Sequence, residues 1–398
     1  MPKGCETHYG KLRVYFNYNG ELCREPLNLS DTRENRRYAE GLVATIKHEI
    51  DSGRFNYGLH FPNSAKLAEN RLDHWVSLYL DIKKKQVSPA TWLGYDRWCR
   101  NYILPSFGHR QAEQLDAIHV QQWIADDLCA LSSKSIKDII SVLRQIYMLY
   151  RMRNQSAANP TDGIKIVLPD DDEPDAFSLD EVNKIVNTAT HRPGDLNAVQ
   201  FAICTGPRPS EWLALGWDDV NLETGEVAFK RSIVLKTYKA TKTKRSKRWV
   251  DLLPQAKDAL AKQYALTGGL KPVKIKVLQR DNRTVKAETF RPVFINDSTA
   301  RAYEDVKHFN RNFFIKHLVK AEVRHRCVSM CRHTFASTML SMGTVPINWI
   351  CDQLGHTSDA MLRRKYAKLF KRQRSFDPVL IAGGAFDLGV DDAKGEIE

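Results

Sequence analysis

The chain has 398 residues, 42% of them apolar, which suffices for two or three domains with sizeable cores and excludes wholesale disorder. Lys and Arg outnumber Asp and Glu by 60 to 47, a formal net charge of +13 that favours a polyanionic partner, nucleic acid before others. There is no N-terminal apolar signal segment and no run of 18 apolar residues, so secretion and membrane spanning are disfavoured. Eight cysteines, at 5, 23, 99, 129, 204, 327, 331 and 351, are scattered without a CxxC pair, the pattern of buried thiols in a reducing cytoplasm. Cys327 and Cys331 have helical spacing and lie close to His325 and His333, which leaves a metal site as the less favoured alternative.

Residues 10–29, "GKLRVYFNYNGELCREPLNL", contain two alternating runs joined by Asn19-Gly20, a strong hairpin signal. Leu12, Val14, Phe16 and Tyr18 point one way, and Arg13, Tyr15 and Asn17 the other. A helix is expected from about Asp31 to Ile50, ending near Gly53, and the unit reads as an accessory module. On a two-stranded ribbon, Arg13 and Arg24 suit a DNA major groove; solvated surface arginines are the alternative.

Residues 65–160 read as mostly helical, with helices expected at 65–83, 89–103, 117–130 and 133–152, punctuated by Pro89, Gly108 and Ser132-Ser133. Basic and aromatic residues interleave in "TWLGYDRWCRNY" and "RQIYMLYRMRN", which suits a duplex clamp and equally any helical bundle. The acidic, Pro-bounded "LPDDDEPDAF" at 168–177 reads as an interdomain linker. Beyond it helical patterns return around a β-rich patch, with strands expected in "GEVAFKRSIVL" (225–235) and "KRWVDL" (247–252). Residues 230–248 hold nine Lys/Arg and no acid; on a hairpin they would present a positive ribbon to a phosphate backbone. No internal repeat, P-loop or GxGxxG fingerprint is present.

Four segments of this last part carry chemistry. "CTGPRPSEWLAL" (204–215) places Arg208 in a Gly/Pro turn feeding a helix, with Ser210 and Glu211 at its start. "KATKTKRSKRWVDL" (239–252) puts Lys242 near a hairpin tip. In "SMCRHTFASTML" (329–340), Cys331, Phe335, Thr338 and Met339 share one helical face, Ser329 stands as N-cap and Gly343 where a C-cap belongs. Arg332 lies in its first turn against that face, and a buried arginine needs an anion. "QLGHTSDAMLRRKYAKLFKRQR" (353–374) supplies a glycine turn, His356 and, ten residues later, Tyr366. Residues 363–374 contain seven Lys/Arg and no acid, a setting that favours the phenolate of Tyr366, which is a nucleophile. A surface tyrosine packed under basic stems is the alternative.

Taken in order, "TGPRPSE", "TKT", "SMCRHTFAS", "LGH" and "KYAKL" resemble the tyrosine recombinase (phage-type integrase) family. The resemblance implies a multidomain, mainly α protein with small β-sheets (α+β). An N-terminal β-hairpin arm-type DNA-binding module would occupy residues 1–60 and a helical, SAM-like core-binding domain 65–165. An acidic linker at 166–176 would lead to a mixed helical catalytic domain with a β-hairpin at 177–398. It implies a site-specific DNA recombinase that integrates and excises a prophage or genomic island through a 3′-phosphotyrosyl intermediate, with no cofactor and no metal. Arg208 and Arg332 would hold the scissile phosphate, since the guanidinium fork binds phosphate bidentately and stays charged. Lys242 would protonate the leaving 5′-oxygen, with Lys244 as its rival; His356 would bind or orient the phosphate; Tyr366 would attack. Glu211 would orient Arg208 through a salt bridge, a helix-capping role being compatible. Lys236, Lys239, Lys244 and Arg245 would contact the DNA backbone.

One position departs from the family box: where histidine is usual, three residues before Arg332, this chain has Ser329, which cannot titrate near neutrality. His333, in the common R-H-T continuation, is expected to point elsewhere on the helix. The implied partners are double-stranded DNA with core and arm attachment sites, a homotetramer in the synaptic complex, an excisionase and a host DNA-bending protein, with no membrane. The implied location is the bacterial cytoplasm, at the nucleoid. Two alternatives are a catalytically weakened relative acting as a sequence-specific DNA-binding regulator, and a topoisomerase-like or telomere-resolving enzyme.

Overall fold

The computed structural model describes residues 4–18, 20–62, 64–169, 174–241, 248–356 and 358–366. They divide into two compact units, one ending at Pro169 and the other following it.

The first unit opens with a three-stranded antiparallel sheet, Cys5–His8, Lys11–Tyr18 and Glu21–Ser30, in sequence order. Alternation buries Leu12, Val14 and Phe16 on one face. Helix Arg33–Asp51 covers that face with Ala39, Val43 and Ile46, its start capped by the Thr32 hydroxyl accepting from the Asn35 N–H. The expected two-stranded ribbon has therefore gained an edge strand, in register Glu6 opposite Arg13. Glu6 draws in both candidate groove arginines: its carboxylate lies 2.5 Å from Arg13 Nε and 3.8 Å from Arg24 Nε.

A helical bundle follows, with helices Leu72–Gln86, Pro89–Trp98, Ala117–Asp126 and Ser133–Arg153 packed around Trp75, Tyr79, Trp123, Leu143 and Tyr147. The helix expected at 65–83 breaks at Arg71, whose backbone is extended and bridges Gln111. The N–H groups of Leu72 and Asp73 then donate to the carbonyls of Arg110 and Gly108, so the new helix start is satisfied by the loop and not by a preceding turn.

In the second unit, helices Leu179–Asn187, Pro193–Thr205 and Pro254–Thr267 surround a core containing Trp212, Phe201, Phe294, Phe309 and Phe314. The stretch 225–235, expected as one strand, divides at Lys230. Glu226–Phe229 joins Arg248–Asp251 in a three-stranded sheet, and Arg231–Val234 enters a four-stranded sheet with Thr237–Ala240, Val273–Leu278 and Val285–Phe290. The hairpin turn is at Leu235 and Lys236, both at positive φ (48° and 61°), the backbone of a tight two-residue turn. The hairpin tip is thus at Lys236, whereas Lys242, Lys244 and Arg245 lie outside the described residues.

A satellite cluster of Phe335, Leu340, Ile350, Leu354, Leu362 and Tyr366 packs helices Met330–Ser341, Ile347–Leu354 and Ala360–Lys365 together. No helix among the described residues is long and apolar enough to cross a membrane, and none of their His, Cys, Asp and Glu residues cluster as metal ligands. Cys331 is buried and Cys327 exposed.

Candidate active site

Helix Pro193–Thr205 ends on Gly206 in the left-handed region (φ 69°), where a Cβ would come within 2.5 Å of the Phe335 ring. The chain then reverses into the short helix Pro209–Trp212, with Pro209 at its first position and Arg208 at its N-cap. Glu211, almost fully buried, grips Arg208 twice: Nη1 donates to Oε1 at 2.9 Å and the backbone N–H to Oε2 at 3.0 Å. The salt bridge and the capping contact anticipated for Glu211 are both present.

Glu211 has a second partner that sequence reasoning passed over. Arg248, 8% exposed on its strand, donates from Nη2 to Glu211 Oε2 at 2.9 Å and from Nε to the Gln353 carbonyl, with its guanidinium 4.9 Å over the Phe229 ring. Burial alone would raise the Glu211 carboxyl, but the Arg248 and Arg208 charges outweigh it and hold it below the ordinary range.

Arg332 extends from the first turn of Met330–Ser341, with Nη1 donating to the Gly206 carbonyl at 2.9 Å and Nη2 to His356 Nε2 at 2.7 Å. Burial, reinforced by the charges of Arg208 and Arg248 against that of Glu211, lowers its pKa to about 9, so it stays charged at neutrality. Among the described residues, three guanidiniums therefore act on one carboxylate, a surplus that calls for an anion. His356 follows Gly355, which closes Ile347–Leu354 at φ 67°. Burial and the charges of Arg332, Arg208 and Arg248 push its imidazole down to about 4. Because arginine only donates, the imidazole proton sits on Nδ1, which is buried with no hydrogen-bond partner among the described residues.

Tyr366 ends helix Ala360–Lys365 and is 5% exposed. Burial raises its phenol above the ordinary tyrosine value, and the opposing charge of Arg332 does not reverse this. Packing in the satellite cluster thus works against the phenolate that the basic flank was expected to favour; residues 367–374 of that flank lie outside the described residues. The phenol instead hydrogen-bonds His333 Nδ1 at 2.7 Å. His333 thus does not point away, as the motif suggested, but meets the nucleophile candidate. Ser329 stands at the N-cap position in helical conformation without capping; its hydroxyl meets Cys327 Sγ at 2.8 Å. Thr334, next in the helix, accepts the Phe177 N–H and anchors the segment.

Arg208, Ser329, Arg332, His333, His356 and Tyr366 line one cleft of about 350 Å³. Lys236 is exposed at its turn and paired with Glu304 at 3.0 Å; Lys239 lies on the neighbouring strand. Arg13 and Arg24 belong to the other unit. Arg248 and His333 are the site residues that motif reading missed. The only signals were a basic residue opening "RWVDL" and a histidine beside Arg332.

Residues 175–373 match the phage integrase family, residues 72–126 the phage integrase N-terminal SAM-like domain, and residues 2–65 an arm DNA-binding domain. The chain belongs to the phage integrase family. It is similar to prophage integrase IntR of Escherichia coli strain K12, at 26% identity over 394 residues covering 92% of this chain and 94% of that protein. A tyrosine recombinase XerC-like protein of Caldanaerobacter subterraneus subsp. tengcongensis is 25% identical over 313 residues, 74% of this chain and 78% of that one. Among solved structures, the Tn1549 transposon integrase in complex with transposon right end DNA superimposes with a TM-score of 0.63 at 15% identity, covering 77% of this chain and 100% of that one. A lambda integrase tetramer bound to a Holliday junction gives 0.58 at 14% identity, over 90% and 97%. At these identities the structural likeness speaks for the fold.

Proposed function

We propose that this phage integrase family member is a site-specific DNA recombinase that integrates and excises a prophage or genomic island through a 3′-phosphotyrosyl intermediate. The observation that carries the reading is the cleft itself: Arg208 and Arg332 line it beside the Tyr366 hydroxyl, and buried Glu211 and Arg248 brace Arg208 from behind. Phosphodiester transfer builds charge on the non-bridging oxygens, and preorganised cations lower that barrier most. Arg208 and Arg332 bind the scissile phosphate bidentately, Arg248 and Glu211 keep Arg208 aimed, and His356 orients Arg332 and hydrogen-bonds the phosphate. Tyr366 attacks phosphorus, and the 5′-oxygen leaves with a proton from Lys242, a role for which Lys244 is the rival. The phosphotyrosyl bond keeps the energy of the broken one, so neither ATP nor a metal enters the scheme.

Residues 1–60 are assigned to arm-type sites, and residues 65–165 with the catalytic part to the core site. Lys236, Lys239, Lys244 and Arg245 add backbone contacts, and Arg13 and Arg24 groove contacts. The recombining species is a homotetramer on DNA, aided by an excisionase and a host DNA-bending protein in the bacterial nucleoid. The test is covalent trapping on a nicked suicide duplex carrying the core site. Wild type forms an SDS-resistant adduct and Tyr366→Phe forms none; adduct from both removes Tyr366 as nucleophile.

A further inference from the structure

Family likeness leaves one part of the reaction without a residue. Some group must take the phenolic proton, and Ser329, at the box position where histidine is usual, is no base near neutrality. We propose that His333 accepts the proton of the Tyr366 hydroxyl as that oxygen attacks the phosphate, and returns it on rejoining. The proposal rests on the preceding reading of Tyr366 as nucleophile.

Geometry singles out His333. Its Nδ1 lies 2.7 Å from the Tyr366 hydroxyl, within reach for direct proton transfer, and both side chains line the cleft that holds Arg208 and Arg332. The other imidazole of the cleft, His356, is committed through Nε2 to Arg332. The Ser329 hydroxyl is turned to Cys327, and no hydrogen bond joins it to Tyr366 among the described residues.

Protonation states agree with this direction of transfer. Burial keeps the phenol protonated, so it donates. Burial together with the charges of Lys365 and Arg332 pushes His333 down to about 4, so its imidazole is neutral and Nδ1 accepts. Among the described residues, the groups facing His333 are Arg332 on its own helix and Lys365 and Tyr366 on helix Ala360–Lys365 and its cap. A phosphodiester bound at Arg332 offsets the charge of one cation that depresses the imidazole. Substrate binding therefore raises the basicity of His333 at the moment its proton affinity is needed.

The step balances. The Tyr366 oxygen forms a bond to phosphorus, the bond from phosphorus to the 5′-oxygen breaks, and the departing oxygen takes a proton from the general acid. The phenolic proton moves to His333 Nδ1, leaving an imidazolium. On rejoining, the 5′-hydroxyl returns its proton to the conjugate base of the general acid as it attacks phosphorus, the phosphotyrosyl bond breaks, and His333 gives its proton back to the Tyr366 oxygen.

The experiment measures single-turnover adduct formation on the nicked core duplex by the full-length protein between pH 5 and 9, with and without added imidazole. Its arms are wild type, His333→Ala, His333→Gln and Tyr366→Phe, each with DNA binding measured alongside. The expected result is a slowing of about 10²- to 10⁴-fold in both His333 variants at unchanged DNA affinity, the usual range for losing a general base. Imidazole should restore His333→Ala and not His333→Gln, whose side chain fills the space. Restoration by imidazole, or loss of the acid limb of the wild-type pH profile, supports the assignment. Wild-type rates in His333→Ala overturn it, as does a slow variant that ignores imidazole and keeps the wild-type profile. No adduct from wild type, or adduct from Tyr366→Phe, instead overturns the reading of Tyr366 on which the proposal stands.

Discussion

Among the described residues, Glu211 is the carboxylate that pairs with both Arg208 and Arg248, so its removal is the most informative single change behind the cleft. Glu211→Gln leaves Arg248 buried and uncompensated, and breaking a buried pair in this way costs about 3–5 kcal/mol. Urea denaturation of the variant at pH 7 should show that loss, together with slower cleavage as Arg208 loses its tether. Because the folded-state pKa of Glu211 is depressed, its stabilisation is present above the ordinary carboxylate range and disappears as pH falls through the depressed value. The histidines behave differently. His333 and His356, each lowered to about 4, stay neutral when an unfolded imidazole, with a pKa near 6.5, has begun to charge. Unfolded chains thus bind these protons first, and the pair contributes a loss of stability as pH falls from about 6.5 towards 4. Imidazole C2 proton resonances of the two residues should shift only towards pH 4 in the DNA-free protein; titration near 6.5 would contradict their burial. For the general acid, Lys242→Ala should be slow on ordinary DNA and recover on a 5′-bridging phosphorothiolate, whose leaving group needs no proton. Lys244→Ala should show no such selective recovery; the reverse pattern exchanges the two roles. That Arg208, Arg332, His356 and Tyr366 would share one cleft was legible because each carries a local spacing. Arg248 was hidden in a run of nine cations, and only tertiary packing tells which of them turns inward.

Elements were legible where local chemistry decides them and illegible where a distant partner does. The Asn19-Gly20 signal and the alternation of Leu12, Val14 and Phe16 sufficed for two strands. The third, Cys5–His8, is too short to declare itself and exists through its pairing. The hairpin turn at Leu235-Lys236 was invisible because that pair is poor turn chemistry, held at positive φ by the strands on either side. Gly206 shows the opposite case, a turn demanded by packing and announced by its residue. Its left-handed backbone brings the chain against Phe335 and presents its carbonyl to Arg332. Gly206→Ala places a methyl against the Phe335 ring and a side chain at φ 69°. Overpacking of this kind costs about 1–3 kcal/mol. The expected outcome is a lower urea midpoint and adduct formation slowed more than DNA binding, since the arginine anchor shifts while the basic surface does not. Equal losses in both would place the damage in folding alone.

At the scale of the whole chain, the surplus of 13 positive charges pointed to a polyanion before any motif did, and a family match to an arm DNA-binding domain agrees with that direction. What composition could not convey is that the buried core is divided. The described residues form two units, and the buried clusters respect the division: Trp75, Tyr79 and Tyr147 pack with one another before Pro169, and Trp212, Phe294 and Phe309 after it. Cooperativity in unfolding arises when loss of one contact set exposes the rest, and separate cores do not share that dependence. Calorimetry of the full-length protein should therefore resolve at least two transitions, with a calorimetric enthalpy exceeding the van't Hoff enthalpy of any single one. Glu211→Gln, at a residue whose partners Arg208 and Arg248 both belong to the second unit, should lower one transition and leave the other in place. Core-site DNA should raise the transition that Glu211→Gln lowers, because a ligand stabilises what it binds by mass action. A single transition with matching enthalpies would show that the two units unfold as one body, and a Glu211→Gln shift of both transitions would show that they are coupled.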